Sequence, residues 1–168
     1  MVRHEGRIVT VRGPIAPDQL GFTLAHEHVL VDFIGADQVS PERYDQDEAF
    51  EYILPHLTEA RALGCNALVE CTPSYIGKDA ELCRRLSQAA GMHILTNVGY
   101  YGAADDRFVP AHAYDESVDQ LVERWVNDAE NVDGTGIHPG FIKIGVDKTA
   151  LSEIDEKLVR AAARTHLR

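Results

Sequence analysis

No stretch of this chain is apolar for long enough to cross a bilayer, which takes about 20 residues. No membrane-spanning helix is therefore expected. The opening residues, Met1-Val2-Arg3-His4-Glu5-Gly6, lack the apolar core of a secretory signal. Cysteine is scarce: Cys65, Cys71 and Cys83 are odd in number and form no Cys-x-x-Cys pair. That usage predicts reduced thiols in a cytoplasmic protein. Positive charge is short as well, with 16 Lys and Arg against 27 Asp and Glu, a formal net charge of -11 and a pI near 5.1. Such a surface repels phosphate backbones and anionic lipid, so neither nucleic acid nor membrane is expected as a partner. No low-complexity linker divides the chain.

What is present is a globular composition, 45% hydrophobic over 168 residues, enough for one domain with a real core. Residues 1–20 read as a lead-in hairpin, with alternation in Arg7-Ile8-Val9-Thr10-Val11-Arg12 and a turn at Gly13-Pro14, able to plug one end of a domain. Residues 21–168 read as four strand-then-helix units. The strands fall at 22–30, 67–72, 93–99 and 141–146. The helices fall at 47–63, 79–90, about 115–131 and from Ser152 onward. Phe50, Ile53, Leu54, Leu57 and Ala60 share one face of the first helix. Pro55 within it predicts a kink or restart, and Gly64 a left-handed cap. Asp79 and Gly91 frame the second helix. Val118, Leu121, Val122, Trp125 and Ala129 form the buried stripe of the third. Ser152 with Asp155 resembles a capping box opening the fourth.

Strands alternating with helices imply parallel strands joined by right-handed crossovers. Either an open doubly wound sheet or a (β/α)8 barrel fits. A barrel takes about 250 residues, and the chain reaches Arg168 within a helical pattern, without a capping Gly or Pro. If the fold is a barrel, four units make half of one, incomplete as an enzyme. An opened half barrel would expose two sheet edges and much apolar surface. The missing half or a second chain is then expected to cover it.

Two constellations carry chemistry. In His26-Glu27-His28 the side chains alternate, so both imidazoles share one side of a strand and can grip a metal ion. The apolar flanks predict that the pair is buried or half-buried. The plain alternative is two core histidines satisfied by hydrogen bonds. The second constellation is Lys143 in Gly140-Phe141-Ile142-Lys143-Ile144-Gly145. A free ammonium in a buried strand is unfavourable. It can pair with a carboxylate, lose its proton and form a Schiff base, or add CO2 to become a carbamate that bridges cations. The small Gly145 on the same face leaves room for such a group. A strand-end Lys reaching solvent is the plain alternative.

Ile8-x-Thr10-Val11-x-Gly13-Pro14-Ile15 followed by Leu20-Gly21-x-Thr23-Leu24-x-His26-Glu27-His28 resembles the opening of the phosphotriesterase family, in the amidohydrolase superfamily. Val69-Glu70-Cys71-Thr72 with Ile76-Gly77-Lys78-Asp79 is similar to the family's second strand and loop. Gly99-Tyr100-Tyr101 is similar to the end of its third strand. Gly134-Thr135-Gly136-Ile137 with Gly140-Phe141-Ile142-Lys143 is similar to its fourth, and Leu158-Val159-Arg160-Ala161-Ala162-Ala163 to the helix after it. The likeness runs in order through nearly the whole chain.

The resemblance implies an α/β fold, a (β/α)8 TIM barrel of the metal-dependent hydrolase type, of which this chain holds about the first four units. The site would lie at the C-terminal ends of the strands. It would hold two divalent metal ions, zinc by default, with manganese, cobalt and iron suited to the same donors. His26 and His28 would hold the more buried metal, and Lys143, as a CO2-derived carbamate, would bridge both. A hydroxide shared by the metals would attack a lactone, ester or phosphotriester. Tyr101 matches an aromatic position lining the family's substrate pocket, where Tyr goes with lactone hydrolysis, so a lactone is favoured. A rim aromatic that only packs would look the same.

The chain departs from the family in one large respect. The two later histidines and the aspartate that moves the proton would lie beyond Arg168, so no catalytic residue is identified here. His4, His56, His112, His138 and His166 read as surface or packing residues, and His93 starts the third strand at the wrong end. Glu70 is either a carboxylate supporting the ligands from behind or a satisfied rim charge. Family members are often dimers, so a homodimer is expected. Two other readings stand beside the hydrolase: a Schiff-base aldolase using Lys143, and an inactive half barrel serving as a scaffold.

Overall fold

The lead-in forms a hairpin, but its turn falls at Val11 and Arg12, and the Gly13-Pro14 expected to make the turn opens the second strand instead. Ile8–Thr10 (β1) and Gly13–Ile15 (β2) pair antiparallel, with Thr10 opposite Gly13. Gly13 takes φ 109° at the start of β2, a conformation that favours glycine, and Thr10 Oγ1 donates to its carbonyl at 2.8 Å. The buried Val11 donates its N–H to the Ile94 carbonyl at 2.8 Å, and the Arg12 guanidinium reaches the Met92 carbonyl at 3.3 Å. Both acceptors lie at the start of a later strand, so the hairpin closes the N-terminal end of the sheet. The computed structural model describes residues 6–148 and 150–168; His4, read from sequence as part of the lead-in, lies outside them.

Four βα units follow. Thr23–Glu27 (β3) leads to Gln46–Ala62 (α1), and Ala67–Glu70 (β4) to Ala80–Ala90 (α2). The third strand has two pieces, His93–Leu95 (β5) and Asn97–Val98 (β6), followed by a one-turn helix at His112–Asp115 (α3) and by Val118–Glu130 (α4). Phe141–Ile142 (β7) and Glu153–His166 (α5) complete the fourth unit. Pairing is parallel throughout, with Leu24 opposite Leu68, Leu68 opposite Ile94 and Asn97 opposite Phe141. β5 pairs back to β4 and β6 pairs forward to β7, so the interruption at Thr96 hands the sheet on. Each strand neighbours the next in sequence and the order never reverses. A doubly wound sheet requires such a reversal, so this is the winding of a TIM barrel.

The helices cover the outer face of the strands. Leu68, Ile94 and Val98 pack against Leu82, Cys83 and Leu86 of α2. Tyr100 packs with Leu121, Val122 and Trp125 of α4 and Leu158 of α5. The expected apolar face of α1 also turns inward, but only to half-burial.

The helix ends show where local signals hold and where they fail. Asp79 caps α2 by accepting the Leu82 N–H at 2.8 Å, and Gly91 closes it at φ 64°. Pro55 does not divide α1, which runs as one helix. Pro55 faces solvent, where water can take the carbonyl that its missing N–H leaves free. The third long helix begins at Val118, not near Asp115. Ser117 Oγ accepts the Gln120 N–H at 3.3 Å and Gln120 Oε1 accepts the Ser117 N–H at 2.9 Å, a reciprocal cap that fixes the start. The capping box expected at Ser152 is only half formed. Ser152 Oγ accepts the Asp155 N–H at 3.1 Å, but the Asp155 carboxylate is buried and accepts the Asp147 N–H at 3.3 Å instead.

Candidate functional site

Because the strands run parallel, their C-terminal ends share one rim. His26 and Glu27 end β3 with His28 next, Glu70 ends β4 with Thr72 two residues on, and Lys143 follows β7 directly. The rings of His26 and His28 have centroids 5.2 Å apart, as expected for two residues on one side of a strand. They are exposed, along with Ala25 and Glu27, which corrects the burial inferred from their flanks. The reason is that β3 is an edge strand, pairing with β4 alone among the described residues.

His28 has its pKa lowered, first by lost hydration and then by the charges of His26 and Lys143, with Glu27 opposing. The charge of Lys143 also acts on the Cys71 thiol, whose pKa burial raises. The fold thus brings His26, His28 and Lys143 to one mouth and favours a neutral His28, the form that binds metal. Among the described residues no group of three or more His, Cys, Asp or Glu side chains is arranged to hold a metal ion. Two imidazoles on one strand face suit a divalent cation such as zinc. Lysine as an ammonium donates only, so it becomes a ligand only after losing its proton or taking up CO2. The residues present fit part of a metal site and leave coordination positions open.

Lys143 is held by its backbone. Its N–H donates to the Val98 carbonyl at 2.8 Å, and Gly99, at φ 125°, passes so close that a Cβ there would lie 2.1 Å from the Lys143 carbonyl oxygen. The space directly over Gly145 is occupied. A Cβ at Gly145 would lie 2.3 Å from Cδ2 of Tyr101, so that ring already fills the gap. Tyr101 is half-buried and bridges to Gly145. Its ring lies 6.1 Å from Phe108, which in turn lies 5.7 Å from Phe33. The Arg107 guanidinium ties these loops together through the Ile34 carbonyl at 3.1 Å. Tyr101 is therefore a rim aromatic, packed and beside Lys143 in the fold.

Glu70 is 1% exposed, so it is no rim charge reaching water. Its Oε1 accepts the Thr72 N–H at 3.1 Å and the Val29 N–H at 3.4 Å, while the buried Oε2 has no partner. Burial pushes its pKa up to about 7, against the hydrogen bonds from Thr72 and Val29 and the charge of Lys78. The folded form therefore holds this proton more tightly than the unfolded chain, whose carboxyl titrates near 4.5. Stability from this group is fully present below pH 4.5 and is lost as pH rises to about 7, by about 3 kcal/mol in all. Glu70→Gln is expected to remove most of that fall. Urea denaturation of the metal-free protein at pH 5 and pH 8 checks this, and an equal fall in both proteins would refute it.

Thr72 and Asn97 were not foreseen as site residues. The hydroxyl of Thr72 lies 2.9 Å from Nδ1 of His28. The Asn97 amide donates to the carbonyls of Glu70 at 2.9 Å and Thr72 at 3.1 Å, clamping the end of β4 from the neighbouring strand. The other histidines lie elsewhere. His93 sits 3.5 Å from Arg12 at the opposite end, His112 meets the Tyr100 hydroxyl at 3.0 Å, and Nδ1 of His138 lies 3.1 Å from the Ala129 carbonyl. His56 packs on Tyr52 at 5.6 Å and His166 ends α5. Among the described residues no helix is long and apolar enough to cross a membrane.

Comparison with known proteins matches residues 6–168 to the model of the phosphotriesterase family. The chain is 29% identical over 150 residues to an aryldialkylphosphatase of Saccharolobus solfataricus, covering 89% of this chain and 47% of that protein. It is 29% identical over 187 residues to an N-acetyltaurine hydrolase of Xenopus tropicalis, covering 94% and 52%. A solved structure of a variant organophosphorus hydrolase from Deinococcus radiodurans superposes with a TM-score of 0.85 at 28% identity, over 95% of this chain and 50% of that one. The chain thus spans about half the length of the relatives it matches.

Proposed function

This chain belongs to the phosphotriesterase family, and from that premise we propose that it serves a metal-dependent hydrolase acting on lactones, esters or phosphotriesters, lactones by preference. The observation that carries the reading is the His26 and His28 pair, with ring centroids 5.2 Å apart at the site end of one strand and within electrostatic reach of Lys143. Two similar proteins bear names that denote hydrolysis at phosphorus and at an amide, reactions that share attack by water on an electrophilic centre.

His26 and His28 would hold one divalent cation, zinc by default with manganese, cobalt or iron as substitutes, and Lys143 as a carbamate would join it to a second. Bound there, the cations would supply Lewis acidity and a water acidic enough to be deprotonated near neutral pH. The chain's own share is to keep His28 neutral, to hold Lys143 at the mouth through the Val98 carbonyl, and to wall the substrate side with Tyr101. The remaining donors are assigned to polypeptide that covers the open face, a further segment or a second copy. Phe22, directly before β3, and Val31 and Val146, each four residues after the end of β3 or β7, are 67%, 41% and 39% exposed, apolar surface that such a cover would bury.

The test is metal content followed by turnover. About one to two equivalents of transition metal per chain are expected, with a lactone cleaved faster than an aryl ester or a dialkyl aryl phosphotriester. Tyr101→Ala is expected to lower kcat/KM on the lactone by about 10-fold or more without changing metal content. Faster cleavage of the phosphotriester would overturn the lactone preference. Absence of both metal and turnover would overturn the hydrolase reading, and borohydride trapping of a carbonyl substrate on Lys143 would replace it with Schiff-base chemistry.

A further inference from the structure

We propose that Thr72 is a positioning residue, whose hydroxyl accepts the Nδ1 proton of His28 and so holds the ring in the tautomer that presents Nε2 to the site. The inference rests on His28 being a metal ligand as proposed above. Two directions are open to a hydrogen bond between a hydroxyl and an imidazole nitrogen, and the surroundings of Thr72 choose between them. Thr72 is fully buried, and its side chain and N–H both lie against the Glu70 carboxyl, favouring its charged form. The Thr72 N–H donates to Oε1 of Glu70 at 3.1 Å, and the buried Oε2 has no hydrogen-bond partner, so an acceptor is open beside the hydroxyl. A hydroxyl proton directed at that carboxylate leaves the lone pairs of Thr72 Oγ1 facing His28, 2.9 Å from Nδ1. Nδ1 must then carry the proton, and the lone pair on Nε2 is left for a cation. Metal-binding histidines characteristically donate their second ring N–H to such an acceptor.

The acceptor is itself held rigidly. Asn97 donates to the carbonyls on both sides of Cys71, at 2.9 and 3.1 Å, which fixes the backbone of Thr72. The β-branched side chain then has few rotamers to choose from. Among the described residues β3 pairs with β4 alone, and the hydroxyl of Thr72 is the polar group that meets the His28 ring there. A ring free to rotate would offer Nδ1 and Nε2 indifferently and lose much of its value as a ligand.

The experiment compares wild type with Thr72→Val, which keeps the shape and deletes the hydroxyl, and Thr72→Ser, which keeps the hydroxyl. The ring nitrogen shifts of His28 in the metal-free protein, read by 15N NMR with the ring neutral, report the tautomer. A competition titration reports zinc affinity. Wild type and Thr72→Ser are expected to show Nδ1–H, while Thr72→Val shows a mixture and binds zinc about 10- to 100-fold more weakly. A merely structural role would lower thermal stability and leave tautomer and affinity alone. Unchanged tautomer and affinity in Thr72→Val, or Nε2–H in wild type, would overturn the proposal. A wild type that binds no zinc, yet shows an Nδ1–H tautomer that the valine abolishes, would remove the metal reading and uphold the contact.

Discussion

Replacing Gly99 with alanine is expected to destabilise the protein by about 3 kcal/mol or more and to loosen the strand that carries Lys143. At φ 125° the new side chain would be strained in any surroundings. Here it would also sit 2.1 Å from the carbonyl oxygen of Lys143 and 3.0 Å from the carbonyl carbon. Both are backbone atoms that no rotamer change can move. Relief requires β6 and β7 to part, which sacrifices the pairing of Val98 with Ile142 and the hydrogen bond from Lys143 to Val98. Gly134→Ala is the control. Its φ of 74° is also positive, though close to the left-handed region where alanine is strained less than at 125°, and nothing lies within 4 Å of the added carbon. Urea denaturation separates the two, and hydrogen exchange at Ile142 and Lys143 should quicken in the Gly99 variant alone. Equal losses in both variants would mean that the close approach contributes nothing.

The double substitution His26→Ala and His28→Ala is expected to weaken zinc binding by about 1000-fold or more while changing the stability of the metal-free protein by no more than about 1 kcal/mol. The two effects come apart because both rings are exposed. Their removal opens no buried cavity, and with it goes the hydrogen bond between His28 and the buried Thr72. A core position behaves in the opposite way. Trp125, at 0% exposure, would cost about 3 to 5 kcal/mol on truncation. Zinc titration and denaturation of the same double variant check both halves. Unchanged zinc affinity would remove the pair from the metal site, and a large loss of stability would show that the rings support the fold.

The architecture was legible because it rests on local signals. Apolar periodicity placed four strands and four long helices, and Asp79, Gly91 and Gly64 marked helix ends at which the chain reverses. His26, His28 and Lys143 stood out because each is polar or charged in an apolar strand. What local pattern cannot carry is the number of neighbours across the sheet. The flanks of His26 and His28 are the same whether β3 is central or at an edge, so their burial was misjudged. Gly145 was read as open room because the ring that fills it comes from Tyr101, 44 positions away in the chain. Thr72 and Asn97 were missed for the same reason. Their partners lie 44 and 25 residues distant, and neither residue type is distinctive by itself. The reciprocal cap of Ser117 and Gln120 was written in the sequence, but the acidic Asp115 two residues earlier belongs to the separate turn α3 and drew the start forward.

The ladder between β6 and β7 has two residue pairs, and the bridge between Tyr101 and Gly145 sets the same alignment again beyond them. Side chains alternate along such a ladder, so a shift of one place turns every one of them over. Ile142 or Ile144 would then face the mouth and Lys143 the helices. The turn at 133–136 lies outside that ladder and has open space beside Gly134 and Gly136, so a change of length there leaves the alignment of Lys143 in place. A single inserted or deleted residue between Phe141 and Gly145 would erase it while leaving the fold's outline intact.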